Sequence, residues 1–185
     1  MKVALVERAR AGDEEAFASL ARAAGDRLLA IAYRILRDLG LAEDAVQQTL
    51  VLAWRELPAL RDPGRFDAWL RRLLVNACYR EARNGRRWAT NVHALAFDQP
   101  SGTDEYGAVV ARDQLERGFR RLPAEQRAVF VFRHYLGLTV PEIAEELGVP
   151  LGTVKSRLHY ATNTLRAALE ADLRLPSPAS REHLA

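Results

Sequence analysis

Thr139–Leu169 reads TVPEIAEELGVPLGTVKSRLHYATNTLRAAL, and its punctuation decides the fold. Thr139 and Glu142 stand three apart, the spacing of a capping box, in which each side chain satisfies the other residue's free backbone N–H. A short helix then runs to about Leu147. Gly148 supplies a turn that needs left-handed backbone, which glycine adopts without steric cost. A longer helix follows from about Leu151. Ala144 is small where the two helices must approach, and Ile143, Leu147, Val149, Val154 and Leu158 give a buried seam. Val154, Leu158, Ala161 and Leu165 share one inward face of the second helix. Lys155, Ser156, His159 and Tyr160 project the other way, flanked by Thr153 and Arg157, and no acid occurs between Leu151 and Ala168. An ordinary helical hairpin is the alternative. The cap, the glycine turn and the acid-free face together favour a helix–turn–helix that reads the negative major groove of duplex DNA.

Helical spacing extends outward from this stretch, with no period-two run long enough for a strand. Phe17, Leu20, Ala21, Leu28, Ala32, Ile35 and Leu39 recur at threes and fours, with a slip near Gly25. Val46, Leu50, Ala53 and Leu57 form a second stripe, and Phe66, Leu70, Leu73 and Ala77 a third. The predicted fold class is all-α, as two small helical domains joined by a flexible linker. Asp13 is placed to cap a helix after Gly12. Gly40 is expected to end the second long helix and Pro58 the third, with Asp62-Pro63 opening the fourth. Residues 1–87 then make one bundle. Residues 88–104, with Asp98-Gln99-Pro100-Ser101-Gly102-Thr103-Asp104 at their end, read as an exposed linker. Helical spacing resumes with Val109, Leu115 and Phe119. Residues 105–172 form the second domain, and 173–185 a frayed tail.

Composition narrows the function. The chain has 185 residues, 49% hydrophobic and 28% charged, with a net charge of +3. No apolar run approaches the ~20 residues of a membrane span, so membrane insertion is not expected and the default compartment is the cytoplasm. The single cysteine, Cys78, reads as a packed thiol. His93, His134, His159 and His183 are scattered, and no metal-ligand cluster, nucleophile–base pair or phosphate loop occurs. No cofactor, metal or catalytic residue is therefore expected, which disfavours a nucleic-acid-processing enzyme.

The charge distribution says more than its total. Arg61, Arg65, Arg71, Arg72, Arg80, Arg83, Arg86 and Arg87 face only Asp62, Asp67 and Glu81 within one segment. Arg72, Asn76, Arg80, Arg83 and Arg87 lie three or four apart and make one helical stripe. Phe66, Trp69, Tyr79 and Trp88 flank it, although Phe66 and Trp69 taken alone suit a core. Cations beside aromatic planes suit a single strand, whose phosphates follow the charges while bases stack on the rings. The helix from about Leu41 to Leu57 differs, showing Glu43, Asp44, Gln47 and Gln48 around Leu50 and Val51. An acidic–amide face with an apolar centre suits a protein partner better than DNA. A stand-alone repressor or activator would need only the helix–turn–helix, used as a dimer on duplex.

Two strings carry a family resemblance. Ala42-Glu43-Asp44-Ala45-Val46-Gln47-Gln48-Thr49-Leu50, followed by Ala53-Trp54-Arg55, resembles the polymerase-docking segment of bacterial sigma factors. Gly152-Thr153-Val154-Lys155-Ser156-Arg157-Leu158-His159 resembles their minus-35 recognition helix. The likeness is to the extracytoplasmic-function subgroup (group 4) of the sigma-70 family and runs from about Val3 to Leu169. Larger sigma factors carry a further domain between the two modules, and Arg87–Glu105 is too short to fold one.

The resemblance implies sigma region 2 over 1–87 and region 4 over 105–172. It implies that Asp44, Gln47, Gln48, Leu50 and Val51 dock on the β-prime clamp of RNA polymerase core, with the β flap as a second contact. The loop Pro58–Arg65, with Leu60, Arg61 and Arg65, would hold a flipped base of the minus-10 strand. Arg72, Asn76 and Arg80 would follow that strand, joined by Phe66, Trp69, Arg83 and Arg87 of the same helix. Lys155, Ser156, His159 and Tyr160, with Thr153 and Arg157, would read the minus-35 duplex. Tyr160 stands where relatives often carry arginine, and Leu52 where they often carry a basic residue. An anti-sigma factor is an implied partner. The free modules are expected to pack together or on an inhibitor, hiding both DNA surfaces.

Overall fold

A computed structural model describes residues 2–91 and 115–173, with side chains at 2–85 and 115–170. The expected linker beyond Asn91 and the expected tail beyond Leu173 lie outside the described residues. Among those described, the chain is helical with no strand. The first half comprises α1 (Lys2–Arg10), α2 (Glu14–Leu36), α3 (Leu39–Glu56) and α4 (Phe66–Asn91), with 3-10 turns at Leu57–Ala59 and Pro63–Arg65. The second comprises α5 (115–121), α6 (Ala124–His134), α7 (Val140–Leu147) and α8 (Leu151–Leu173). No described helix is long and apolar enough to cross a membrane.

Local chemistry sets most boundaries. Asp13 caps α2 by accepting the Ala16 N–H at 2.9 Å. That bond, with Arg8 beside it, holds the Asp13 carboxyl below its usual range. Gly25 does not interrupt α2, which runs straight through it. Gly40 does not end α2 either. The helix stops at Leu36, and Arg37 takes the left-handed conformation at φ 60°. Asp38 then accepts the Leu41 N–H at 2.9 Å, so α3 already begins at Leu39 and Gly40 falls in its first turn. A carboxylate that satisfies a free N–H starts a helix more effectively than one glycine stops it. Asp62 caps the Pro63–Arg65 turn through the Gly64 N–H at 2.8 Å. From there the chain enters α4, which continues to Asn91, past the expected boundary at 87.

Packing joins the two halves. Val6, Ile31, Ile35, Leu57 and Leu74 are fully covered in the first bundle. Thr49 is buried with them and donates its hydroxyl to the Ala45 carbonyl at 2.7 Å, which removes the cost of an unpaired polar group. The same apolar cluster continues through Val75 into Ala128, Val129, Phe132, Ile143 and Val154 of the second half. Each large side chain fully buried here contributes roughly 1.5–3 kcal/mol, so the seam between halves is a core in its own right. A smaller cluster of Leu122, Ala161 and Leu165 holds α8 on the turn before α6, with Phe119 and Phe130 packed against it. Gly118 lets α5 approach α8 closely, since a Cβ there would lie 2.8 Å from Ala168 Cβ.

Candidate nucleic-acid and polymerase interfaces

The helix–turn–helix forms as its local chemistry requires. The Thr139 N–H donates to the Glu142 carboxylate at 2.7 Å, and the Glu142 N–H returns to the Thr139 hydroxyl at 3.5 Å. The Thr139 hydroxyl and backbone together hold the Glu142 carboxyl below its usual range. Gly148 closes α7 at φ 64°. It also faces α4, because a Cβ at Gly148 would sit 2.7 Å from the Arg72 guanidinium. Ile143, Val154 and Ala161 are fully buried and Leu165 nearly so, while Leu158 is half-buried.

On this spine Lys155, Ser156, His159 and Tyr160 all face outward, Tyr160 with 60% of its surface exposed. The Ser156 hydroxyl donates to the Thr153 carbonyl at 3.0 Å, and Thr153 itself is half-buried. His159 Nε2 and Asn163 Nδ2 are 2.9 Å apart, so the Asn163 amide steadies the imidazole from one turn away. Sequence reasoning missed Asn163, although its i+4 spacing from His159 was a usable signal. Arg157 leaves this group. It is half-buried, and its charge acts on the Tyr79 phenol of α4. Burial pushes that phenol up to about 12, against the pull of Arg157, and its hydroxyl has no hydrogen-bond partner among the described residues.

The basic helix divides by face. Arg72, Asn76, Arg80 and Arg83 are exposed together, and Arg61 and Arg65 are exposed on the preceding turns. The Arg87 side chain lies outside the described residues. The apolar members depart from expectation. Leu60 is 8% exposed and Phe66 3%, both within the core, so neither ring nor side chain is open to a base. Trp69 is half-buried with its ring 5.9 Å from that of Phe66. The inward seam runs through Leu70, Leu74, Ala77 and Cys78, with Leu74 taking the place expected of Leu73. Burial pushes the Cys78 thiol up to about 12, leaving it uncharged.

On α3, Asp44, Gln47 and Val51 are exposed, Val51 by 55%, and Leu50 is half-buried. Trp54 joins this face from one turn on, its ring 5.0 Å from that of Phe17. It was quoted in the sequence motif without being assigned to the surface, although its i+3 spacing from Val51 placed it there. Gln48 is less free than expected. Its amide donates to the buried Glu81 of α4 at 2.6 Å, tying the two helices together.

Further side chains bridge the halves, and sequence analysis assigned none of these bridges. Arg71 of α4 grips Glu146 of α7 with two donors, the Nε bond being 2.9 Å. Arg65 reaches Glu145 at 2.6 Å. Arg37 grips Glu116 of α5 in the same bidentate way. Burial raises the Glu116 carboxyl, but Arg37 and Arg120 outweigh it and hold the group below its usual range. The Arg34 guanidinium stacks 3.9 Å over the Tyr135 ring. The halves thus pack together, yet they do not hide both DNA surfaces, because the Lys155–Tyr160 face and Asn76, Arg80 and Arg83 stay open.

Comparison with known proteins agrees with this arrangement. Sigma-70 region 2 matches residues 20–88, and sigma-70 region 4 matches residues 112–165. The ECF RNA polymerase sigma factor SigL of Mycobacterium tuberculosis is 36% identical over 166 residues, which cover 86% of this chain and 94% of that protein. SigW of Bacillus subtilis is 25% identical, covering 89% of this chain and 94% of its own. Among solved structures, CnrH in complex with the cytosolic domain of CnrY superposes with a TM-score of 0.63 at 27% identity, covering 92% of this chain and 98% of that one. RpoE in complex with the anti-sigma factor NepR from Bartonella quintana gives a TM-score of 0.61 at 25% identity, covering 80% and 92%. With both regions matched in order, and SigL aligned over 86% of the chain, the protein belongs to the sigma-70 family, among the extracytoplasmic-function RNA polymerase sigma factors.

Proposed function

We propose that this sigma factor, which directs RNA polymerase to promoters, works through three separate faces. Lys155, Ser156, His159 and Tyr160 read the minus-35 duplex. The α4 face of Arg72, Asn76, Arg80 and Arg83, with Arg61, Arg65 and Trp69 beside it, follows the melted minus-10 strand. Asp44, Gln47, Leu50, Val51 and Trp54 dock on the β-prime clamp, while region 4 meets the β flap. The observation that carries this reading is the exposed, acid-free row Lys155–Tyr160 standing on the buried spine Val154–Ala161–Leu165. A positive face mounted on packed helix is rigid enough to select base edges rather than merely attract phosphates.

The work is binding, with no bond made or broken. Region 4 anchors duplex, and region 2 traps bases as they unstack. Unstacking costs a few kcal/mol per step, which stacking and phosphate contacts offset. An anti-sigma factor holds the protein when it is not needed, as the reported complex of RpoE with NepR supports by likeness. Run-off transcription with purified core polymerase tests the whole reading. Promoter-specific transcripts are expected only when the protein is added, and their absence on every template of a genomic promoter library refutes it.

A further inference from the structure

The reading face of α8 carries one ring whose hydrogen-bonding sense is fixed by a neighbour. His159 is exposed, and its Nε2 lies 2.9 Å from the Asn163 amide nitrogen, one turn along the helix. An amide nitrogen only donates. Nε2 must therefore accept, and a neutral imidazole that accepts at Nε2 carries its proton on Nδ1. The Tyr160 ring stands edge-on to the imidazole, with centroids 5.9 Å apart and planes at 69°, so two residues limit how the ring turns. The Nδ1 donor has no partner among the described residues. Asn163 is itself exposed and belongs to neither apolar cluster, so the contact with His159 is not a by-product of core packing. Ser156 has the opposite sense: its hydroxyl proton goes to the Thr153 carbonyl at 3.0 Å, which leaves the oxygen to accept. The face thus shows an acceptor at Ser156 and a donor at His159.

We propose that Asn163 is a positioning residue for promoter reading: by fixing the proton on Nδ1 it makes His159 a hydrogen-bond donor, and His159 then selects a base with an acceptor edge in the minus-35 major groove. Guanine fits best, because its N7 and O6 are both acceptors there. Adenine sets its N6 donor beside N7, thymine sets a methyl group beside O4, and cytosine offers the N4 donor. Without Asn163 the ring carries its proton on either nitrogen and presents either sense, so the selection fades. Asn163 acts through His159 alone, by the same logic in which a partner on one imidazole nitrogen decides what the other can do. The inference rests on the reading of α8 as the minus-35 helix.

The test uses the full chain with isotopically labelled histidine, and holoenzyme assembled from the same chain and core polymerase. Nitrogen–proton correlation spectra, with His159 assigned through His159→Gln, should show the proton on Nδ1 in the parent chain. Asn163→Leu, a change at an exposed position, should keep native helicity and spread that proton over both nitrogens. Transcription from a library of minus-35 variants should show the parent favouring guanine at one position about fivefold, the worth of one hydrogen bond. Asn163→Leu should lose that preference and no other. A 7-deazaguanine at that position lacks only the N7 acceptor, and should cost the parent about fivefold and Asn163→Leu nothing. A proton on Nε2 in the parent overturns the proposal. So does the absence of a guanine preference that depends on His159, its survival in Asn163→Leu, or its indifference to 7-deazaguanine. None of these results removes α8 from the promoter. That reading falls instead if His159→Gln and Lys155→Ala together leave base preference unaltered at every minus-35 position.

Discussion

Adjacent residues on α8 should respond oppositely to the same change. Val154 has no exposed surface and sits beneath the reading face, whereas Lys155 is exposed on it. Val154→Ala removes two methyl groups. Their transfer is worth about 1.6 kcal/mol at ~0.8 kcal/mol each, and the cavity left in the core raises the loss to about 2–3 kcal/mol. Lys155→Ala removes no buried contact and should shift stability by under ~0.5 kcal/mol. Its cost appears in DNA, as about 1–3 kcal/mol of lost preference at one base position. Urea unfolding of the full chain measures the first quantity, and transcription from a library of minus-35 variants the second. Equal destabilisation by both changes would show α8 to be rotated from its assigned face. A Lys155→Ala protein with unaltered base preference would remove that residue from the reading group.

Three further outcomes follow from other elements. Asp44→Arg and Val51→Asp should each weaken co-elution with core polymerase by about 1 kcal/mol or more while leaving helicity intact; undiminished co-elution of both refutes the docking face. Phe66→Ala should cost about 3–5 kcal/mol in denaturant unfolding, as a core residue does, and a stable Phe66→Ala protein defective only in DNA binding would return the ring to the strand site. The Glu116 carboxyl is held below its ordinary value mainly by Arg37, so its stabilising effect is present above the unfolded pKa and is lost as pH falls through the lower folded value. Acid titration followed by circular dichroism should therefore show a shallower loss of stability below about pH 4.5 in Arg37→Gln than in the parent chain, and identical acid limbs would count against the pair.

Legibility in the sequence followed the range of the interaction concerned. The helix–turn–helix could be read because Thr139, Glu142 and Gly148 act on neighbours within a turn. The exposed rows Lys155–Tyr160 and Asp44–Val51 could be read because helical periodicity alone separates faces. The burial of Phe66 and Leu60 was hard to read because arginines surround them in sequence, while the core that buries them comes from distant helices. The start of α3 at Leu39 was obscured by Gly40, since Arg37 takes the left-handed turn expected of the glycine and Asp38 caps the next helix. The pairing of Arg71 with Glu146 was not legible because the two lie 75 residues apart. The action of the Arg157 charge on Tyr79 likewise depends on how the halves meet, which no local spacing encodes.

Arg37 holds two posts whose ideal occupants differ. At the end of α2 its φ of 60° is the conformation glycine adopts freely, and for a side-chain-bearing residue it costs roughly 1–2 kcal/mol. Across the domain boundary, its guanidinium fork is what Glu116 requires. Glycine would perfect the helix end and abolish the tether; no residue satisfies both. Glycine at this one position would thus exchange backbone strain at the end of α2 for the loss of one tether, leaving the apolar seam and the Arg71–Glu146 pair to hold the halves.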